Sequence, residues 1–207
     1  MATTIERRTI VFPVELRAKS DAAEKGNQIS GYAARYFDPA DKTTQYQLWD
    51  DTFERIQPGA FKSCMDRPDD VRCLFNHDPN MILGRTTAGT CTLTADKKGL
   101  YFVADLPDSP AGQTVAEAIR RKDITGCSFS FDVLTCTWTE DASGGQRSVW
   151  YRDITDVRLY DVGPVTFPAY EATDVDCCSA RSSLDRFKQE RKIPQGVKLR
   201  RWRHRLQ

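Results

Sequence analysis

A succession of short runs that alternate apolar and polar residues, each closed by a turn signal, restricts the fold of this chain more than any other feature. A side-chain repeat of two belongs to strands with one buried face. Residues 9–18 (TIVFPVELRA) alternate in this way, and Pro13, which has no N–H to give a ladder, predicts an edge or a bulge there. Residues 29–37 (ISGYAARYF) and 71–75 (VRCLF) read as further strands, with loops at 20–27 and 38–45 and a short helix at 60–65. Residues 91–94 and 100–106 flank Ala-Asp-Lys-Lys-Gly, a hairpin signal. Residues 127–133 (CSFSFDV) set Phe129, Phe131 and Val133 on one face and Ser128, Ser130 and Asp132 on the other. A second hairpin is predicted where 135–139 and 149–154 flank Asp-Ala-Ser-Gly-Gly, and 157–167 is strand-like until Pro164 and Pro168 interrupt it. The clearest helix is capped by Asp108 or Ser109, has Pro110 in its first turn and places Val115, Ala118 and Ile119 on one face. Many short strands with one or two helices predict a mostly β (α+β) fold, an antiparallel barrel or sandwich.

The chain has 207 residues, room for one ordinary domain and tails, and its 40% hydrophobic and 29% charged residues exclude wholesale disorder. No apolar run reaches the ~18–20 residues that span a bilayer. Residues 1–8 lack the apolar stretch of a secretory signal, so the expectation is a cytoplasmic protein with no membrane partner. Seven cysteines, an odd number without CxxC spacing, predict free thiols packed as small hydrophobes rather than disulfides or a zinc site. The net charge of +1 hides an asymmetry: residues 181–207 carry ten Lys/Arg against two Asp/Glu, a net +8, and the rest carries −7.

There are two histidines. His204 lies in Arg-Arg-Trp-Arg-His-Arg, where positive neighbours oppose the protonated form that a general base must reach. His77 ends an apolar strand just before Asp78-Pro79, which suits either an imidazole presented for acid–base work or a surface histidine bonded to Asp78. Ser128, flanked by apolar neighbours on its strand, is either a firmly held nucleophile or one of several serines on a polar face. It is not in a GxSxG elbow, which excludes the α/β-hydrolases. Asp161, in a largely uncharged stretch, is either the carboxylate that orients the imidazole or a capping residue, with Asp153 and Glu171 as lesser candidates. A Cys127–His77 pair is disfavoured because Cys127 falls on the Phe129/Phe131 face, where burial raises the thiol pKa. One usable histidine without HExxH makes a poor zinc site, and no Gly-rich phosphate loop is present.

Taken in order, several segments resemble the prohead maturation proteases of tailed bacteriophages. They are Ile29-Ser30-Gly31-Tyr32-Ala33, Pro58-Gly59-Ala60-Phe61, Asn76-His77-Asp78, Leu83-Gly84-Arg85-Thr86, the Asp96–Leu100 hairpin, Gly126-Cys127-Ser128-Phe129-Ser130-Phe131, and the closing run from Leu159 to Ala169. The resemblance spans about residues 8–175. It implies a β-barrel wrapped by a few helices, as in herpesvirus assemblin, and a serine endopeptidase needing no cofactor. Its implied substrates are scaffold or the scaffolding segment of the major capsid protein, and itself. The implied setting is the host cytoplasm, with incorporation and self-association in the prohead. The family histidine and serine fall on His77 and Ser128, and Asp161 stands where the family usually has Glu. Ser130 stands where it usually has Gly. The implied organisation is a leader at 1–7, a protease domain at 8–176 and a basic tail at 177–207. Two other readings are a non-enzymatic capsid scaffold or chaperone that uses the basic tail, and a nucleic-acid-binding barrel with a basic arm. Nucleic acid is not expected as a partner.

Overall fold

The computed structural model describes residues 5–10, 13–18, 27–66, 69–143, 148–167 and 174–192. The first of two sheets has the strand order β1 (Glu6–Ile10), β10 (Gly126–Asp141), β11 (Val149–Val165), β5 (Thr52–Ile56) and β4 (Gln45–Trp49). Beyond β5, the long β11 also pairs β6 (Arg72–Leu74), which pairs β7 (Ile82–Arg85). The second sheet has the order β2 (Glu15–Ala18), β3 (Asn27–Arg35), β9 (Gly99–Asp105) and β8 (Cys91–Ala95).

The mostly β class and the mostly antiparallel pairing agree with the sequence, but the sheets do not close into the expected barrel; β11 runs parallel to β5 and to β6. The chain changes sheets between β1 and β2, where Pro13 has no N–H for either ladder. It changes again between β3 and β4, between β7 and β8 through the turn from Thr86 to Thr90, and between β9 and β10. β1 also starts inside the segment expected as a leader, because Glu6 is drawn into a buried charge cluster.

Pro164 does not end β11. Its carbonyl is directed away from β10, accepting from the Asn76 N–H at 3.1 Å. Since the N–H and C=O of a strand residue point to the same side, the missing donor costs the β10–β11 ladder nothing. One hydrophobic core takes Ile29, Leu100 and Phe102 from the second sheet and Phe129, Phe131, Ile154 and Val162 from the first. Phe61, at the end of the Pro58–Phe61 turn, packs edge-on to Phe129 at 6.0 Å, and Phe129 stacks on Phe131 at 4.7 Å. The strand that carries Ser128 is thereby held from beneath.

Among the described residues of this body are a 3-10 turn at Lys42–Thr44 and two α-helices, α1 (Lys62–Asp66) and α2 (Pro110–Arg120). The Ser109 hydroxyl caps α2, whose buried side chains are Val115, Ala116 and Ile119. Ala118, expected on the same face as Val115 and Ile119, is half-buried against the core, and Ala116 adds a further fully buried side chain. Residues 173–207 form a separate unit whose described part is α3 (Asp174–Lys192). A helix was not expected there. Its sequence has no Gly or Pro, with Asp174 and Asp176 at its start and Arg191 and Lys192 at its end, as the helix dipole favours. Among the described residues, no helix is long and apolar enough to cross a membrane.

Candidate active site

The site is built on one face of β10 and β11. Phe129 and Phe131 are fully buried in the core, so Ser128 and Ser130 face the other way. Alternation along β11 from Val157 and Leu159 would put Asp161 on the core side with them. A β-bulge prevents this: Ser130 pairs Asp161 while the next residue, Phe131, pairs Leu159, which leaves Tyr160 without an opposite number. The extra residue reverses the alternation. Val162, opposite Phe129, joins the core, and Asp161 and Gly163 come onto the face of Ser130 and Ser128, their register partners.

His77 arrives from β6. That strand runs alongside β11, with Arg72 opposite Asp161 and Cys73 opposite Val162. Past its end, Asn76 and His77 both adopt left-handed backbone, with φ of 54° and 57°. Asn and His enter this region more readily than most residues, but two such residues in succession carry a cost and must be held by their surroundings. The holding bonds are present. The Asn76 N–H donates to the Pro164 carbonyl, its amide nitrogen to Thr166 Oγ1 at 3.1 Å, and its side-chain oxygen accepts from the Thr166 N–H at 2.8 Å. The Asp78 N–H closes a turn on the Phe75 carbonyl at 3.0 Å. The loop is therefore fastened to the end of β11 and to Thr166 on the Asn76 side of the imidazole, and closed on itself on the Asp78 side.

The imidazole lies between the other two side chains. His77 Nε2 is 2.7 Å from Ser128 Oγ, and His77 Nδ1 is hydrogen-bonded to Asp161 Oδ1. The second carboxylate oxygen, Oδ2, accepts from the Ser130 hydroxyl. Ser128 Oγ also has the Arg8 carbonyl within reach at 2.9 Å, so the imidazole, which is nearer, competes with it for the proton.

The other candidates separate cleanly. Asp78 Oδ1 accepts from the Asn80 N–H at 2.8 Å and takes no part in holding the imidazole. Asp153 is engaged by Arg55 through two 2.7 Å bonds and by Gln57, at the β5 end of β11. Cys127 is a buried free thiol, pushed up to about 12 by burial, which makes it a poor nucleophile. Glu171 and His204 lie outside the described residues. What the sequence reasoning missed is the support: the Asn76 bonds, the Tyr160 bulge and the bareness of Gly163. A methyl group on Gly163 would sit 2.0 Å from the Leu74 carbonyl oxygen, in backbone that leads to His77. Gly163→Ala is therefore expected to cost about 1–3 kcal/mol of stability, as overpacking does. It is also expected to lower any activity that depends on His77 by about 100-fold, since ~1 Å of misplacement has that effect. Thermal melting and turnover of the purified variant check both.

The sequence matches the family model of the caudovirus prohead serine protease over residues 13–190. Among solved structures, the capsid assembly protease gp21 of bacteriophage T4 is similar, with a TM-score of 0.52 at 14% identity. That match covers 80% of this chain and 99% of the other, and at such identity it speaks for a shared fold. No curated protein matches by sequence.

Proposed function

This chain belongs to the caudovirus prohead serine protease family, and on that premise we propose that it is a serine endopeptidase that cleaves capsid or scaffold protein while a phage head assembles. The observation that carries the chemistry is the continuous chain of hydrogen bonds from Ser128 Oγ through His77 to Asp161. With Nδ1–H donated to Asp161, Nε2 is left bare and faces the hydroxyl. His77 takes the Ser128 proton as Oγ attacks the scissile carbonyl and gives it to the departing amine. Asp161 holds the ring in that tautomer and stabilises the imidazolium. Water then releases the acyl group from Ser128 by the same path. Ser128 is fully buried, so an opening motion precedes attack on a peptide.

In this reading the protease body precedes the basic segment 177–207, whose charge opposes that of the acidic body and suits it to self-association or to docking on an assembling shell. The substrates are the scaffold and the scaffolding segment of the major capsid protein, with the enzyme's own termini as further targets. The test is co-expression with the capsid protein of the same phage, followed by intact-mass measurement of both chains. The wild type shortens the capsid protein at one defined bond and Ser128→Ala leaves it whole. A capsid protein left whole by the wild type points instead to a non-enzymatic scaffold. Cleavage by Ser128→Ala removes Ser128 from the role of nucleophile.

A further inference from the structure

We infer that Ser130 is a positioning residue for the proposed proteolysis, its hydroxyl fixing the Asp161 carboxylate so that Oδ1 is presented to His77. The inference rests on the assignment of Ser128, His77 and Asp161 made above.

An aspartate that steadies an imidazole must present one oxygen and keep its plane. The Asp161 side chain is only 10% exposed, so water does little to hold its second oxygen. That oxygen is bonded to Ser130, which is 1% exposed. A buried carboxylate oxygen deprived of its partner would turn towards another donor and carry Oδ1 away from the ring.

The backbone makes Ser130 the residue for this task. It is the direct cross-strand partner of Asp161, and the bulge that brings Asp161 onto this face begins immediately after the pair. Directly opposed side chains on one face of a sheet are within contact distance. A serine has a single side-chain torsion to the hydroxyl oxygen, so little freedom is lost in holding it. Ser130 and Ser128 therefore divide the work of one strand face: Ser128 meets the imidazole directly, and Ser130 acts on it only through Asp161.

The experiment uses the full chain and a peptide spanning the cleavage site mapped by co-expression. Ser130→Ala removes the hydroxyl and adds no volume. Its kcat is expected to fall about 10- to 100-fold with KM nearly unchanged, since the lost interaction acts on the reacting groups rather than on peptide binding. The diagnostic arm is the same substitution on an Asp161→Asn background, where it is expected to cost less than about 3-fold because the carboxylate it served is gone. A second readout, independent of turnover, is the downfield proton resonance of His77 Nδ1–H, expected to move upfield or broaden in Ser130→Ala. Equal losses on both backgrounds, or an unchanged resonance, overturn the positioning role. If Ser128→Ala still cleaves, the underlying assignment has failed. If Ser128→Ala is inactive and Ser130→Ala is fully active, only the role of Ser130 has failed.

Discussion

His77→Ala is expected to lower kcat/KM for the mapped peptide at least about 10⁴-fold while leaving a folded protein. The size follows from the role. Without the imidazole Ser128 Oγ loses its base, and the Arg8 carbonyl, which also accepts from it, cannot carry a proton on to a leaving amine. The fold should survive for a separate reason. His77 lies at the surface end of the site, outside the hydrophobic core, and the loop is held by backbone and Asn76 bonds that the substitution leaves in place. Alanine inherits the left-handed backbone at a cost of about 1–2 kcal/mol, of the order the histidine already bears, so the melting temperature should shift little. Cleavage at a rate within 10-fold of wild type would take His77 out of the mechanism.

Where side chains obey their own local pattern, the sequence was informative. The Phe129/Phe131 alternation, the hairpin around Asp96–Gly99 and the Ser109-capped helix are all present, and the three polar residues named from sequence meet in space. How Asp161 reaches its neighbours was not legible. Strand period alone assigns it to the side of Leu159, and only the unpaired Tyr160 puts it beside Ser130. The left-handed turn at Asn76–His77 was equally hidden, because its support comes from Pro164 and Thr166, far along the chain. Strands β4 and β5 were missed for the opposite reason. In Thr52–Ile56 the buried residues are Thr52, Glu54 and Ile56, while Phe53 is half-buried, so no apolar face marks the strand in the sequence. A carboxylate faces inward there because two arginines from other strands meet it, and nothing within five residues could announce that.

That inward carboxylate underlies the largest stability effect expected in the molecule. Glu54→Gln should destabilise the body by about 3–5 kcal/mol, which at this size lowers the melting temperature by roughly 6–20 °C. Four side chains make up the cluster: Glu6 and Arg8 on β1, Glu54 on β5 and Arg152 on β11, none more than 3% exposed. Arg8 bonds Glu54 at 2.6 Å and Glu6 at 2.7 Å; Arg152 bonds Glu6 at 2.8 Å and Glu54 at 2.9 Å. Two positive and two negative groups cancel. Removing one carboxylate charge leaves a buried net positive charge, which is where the penalty arises. The same cluster gives acid sensitivity. Burial alone would push the Glu54 carboxyl up, but Arg8 and Arg152 outweigh it and hold the group below the usual carboxylate range. A carboxyl depressed in the folded state adds stability that is complete above its unfolded pKa, about 4.3, and is lost as pH falls through its folded value. Below about pH 4.3 the wild type should therefore lose melting temperature more steeply than Glu54→Gln, whose amide does not titrate, and the two curves should converge as pH falls further. Parallel curves from pH 7 down to 3 would mean that Glu54 contributes no charge-dependent stability. The consequence reaches the site, because β1 also presents the Arg8 carbonyl to Ser128. Loosening the cluster frees the strand that competes with His77 for the Ser128 proton, so folded Glu54→Gln should keep a functional imidazole while its β1 amides exchange faster than those of β10.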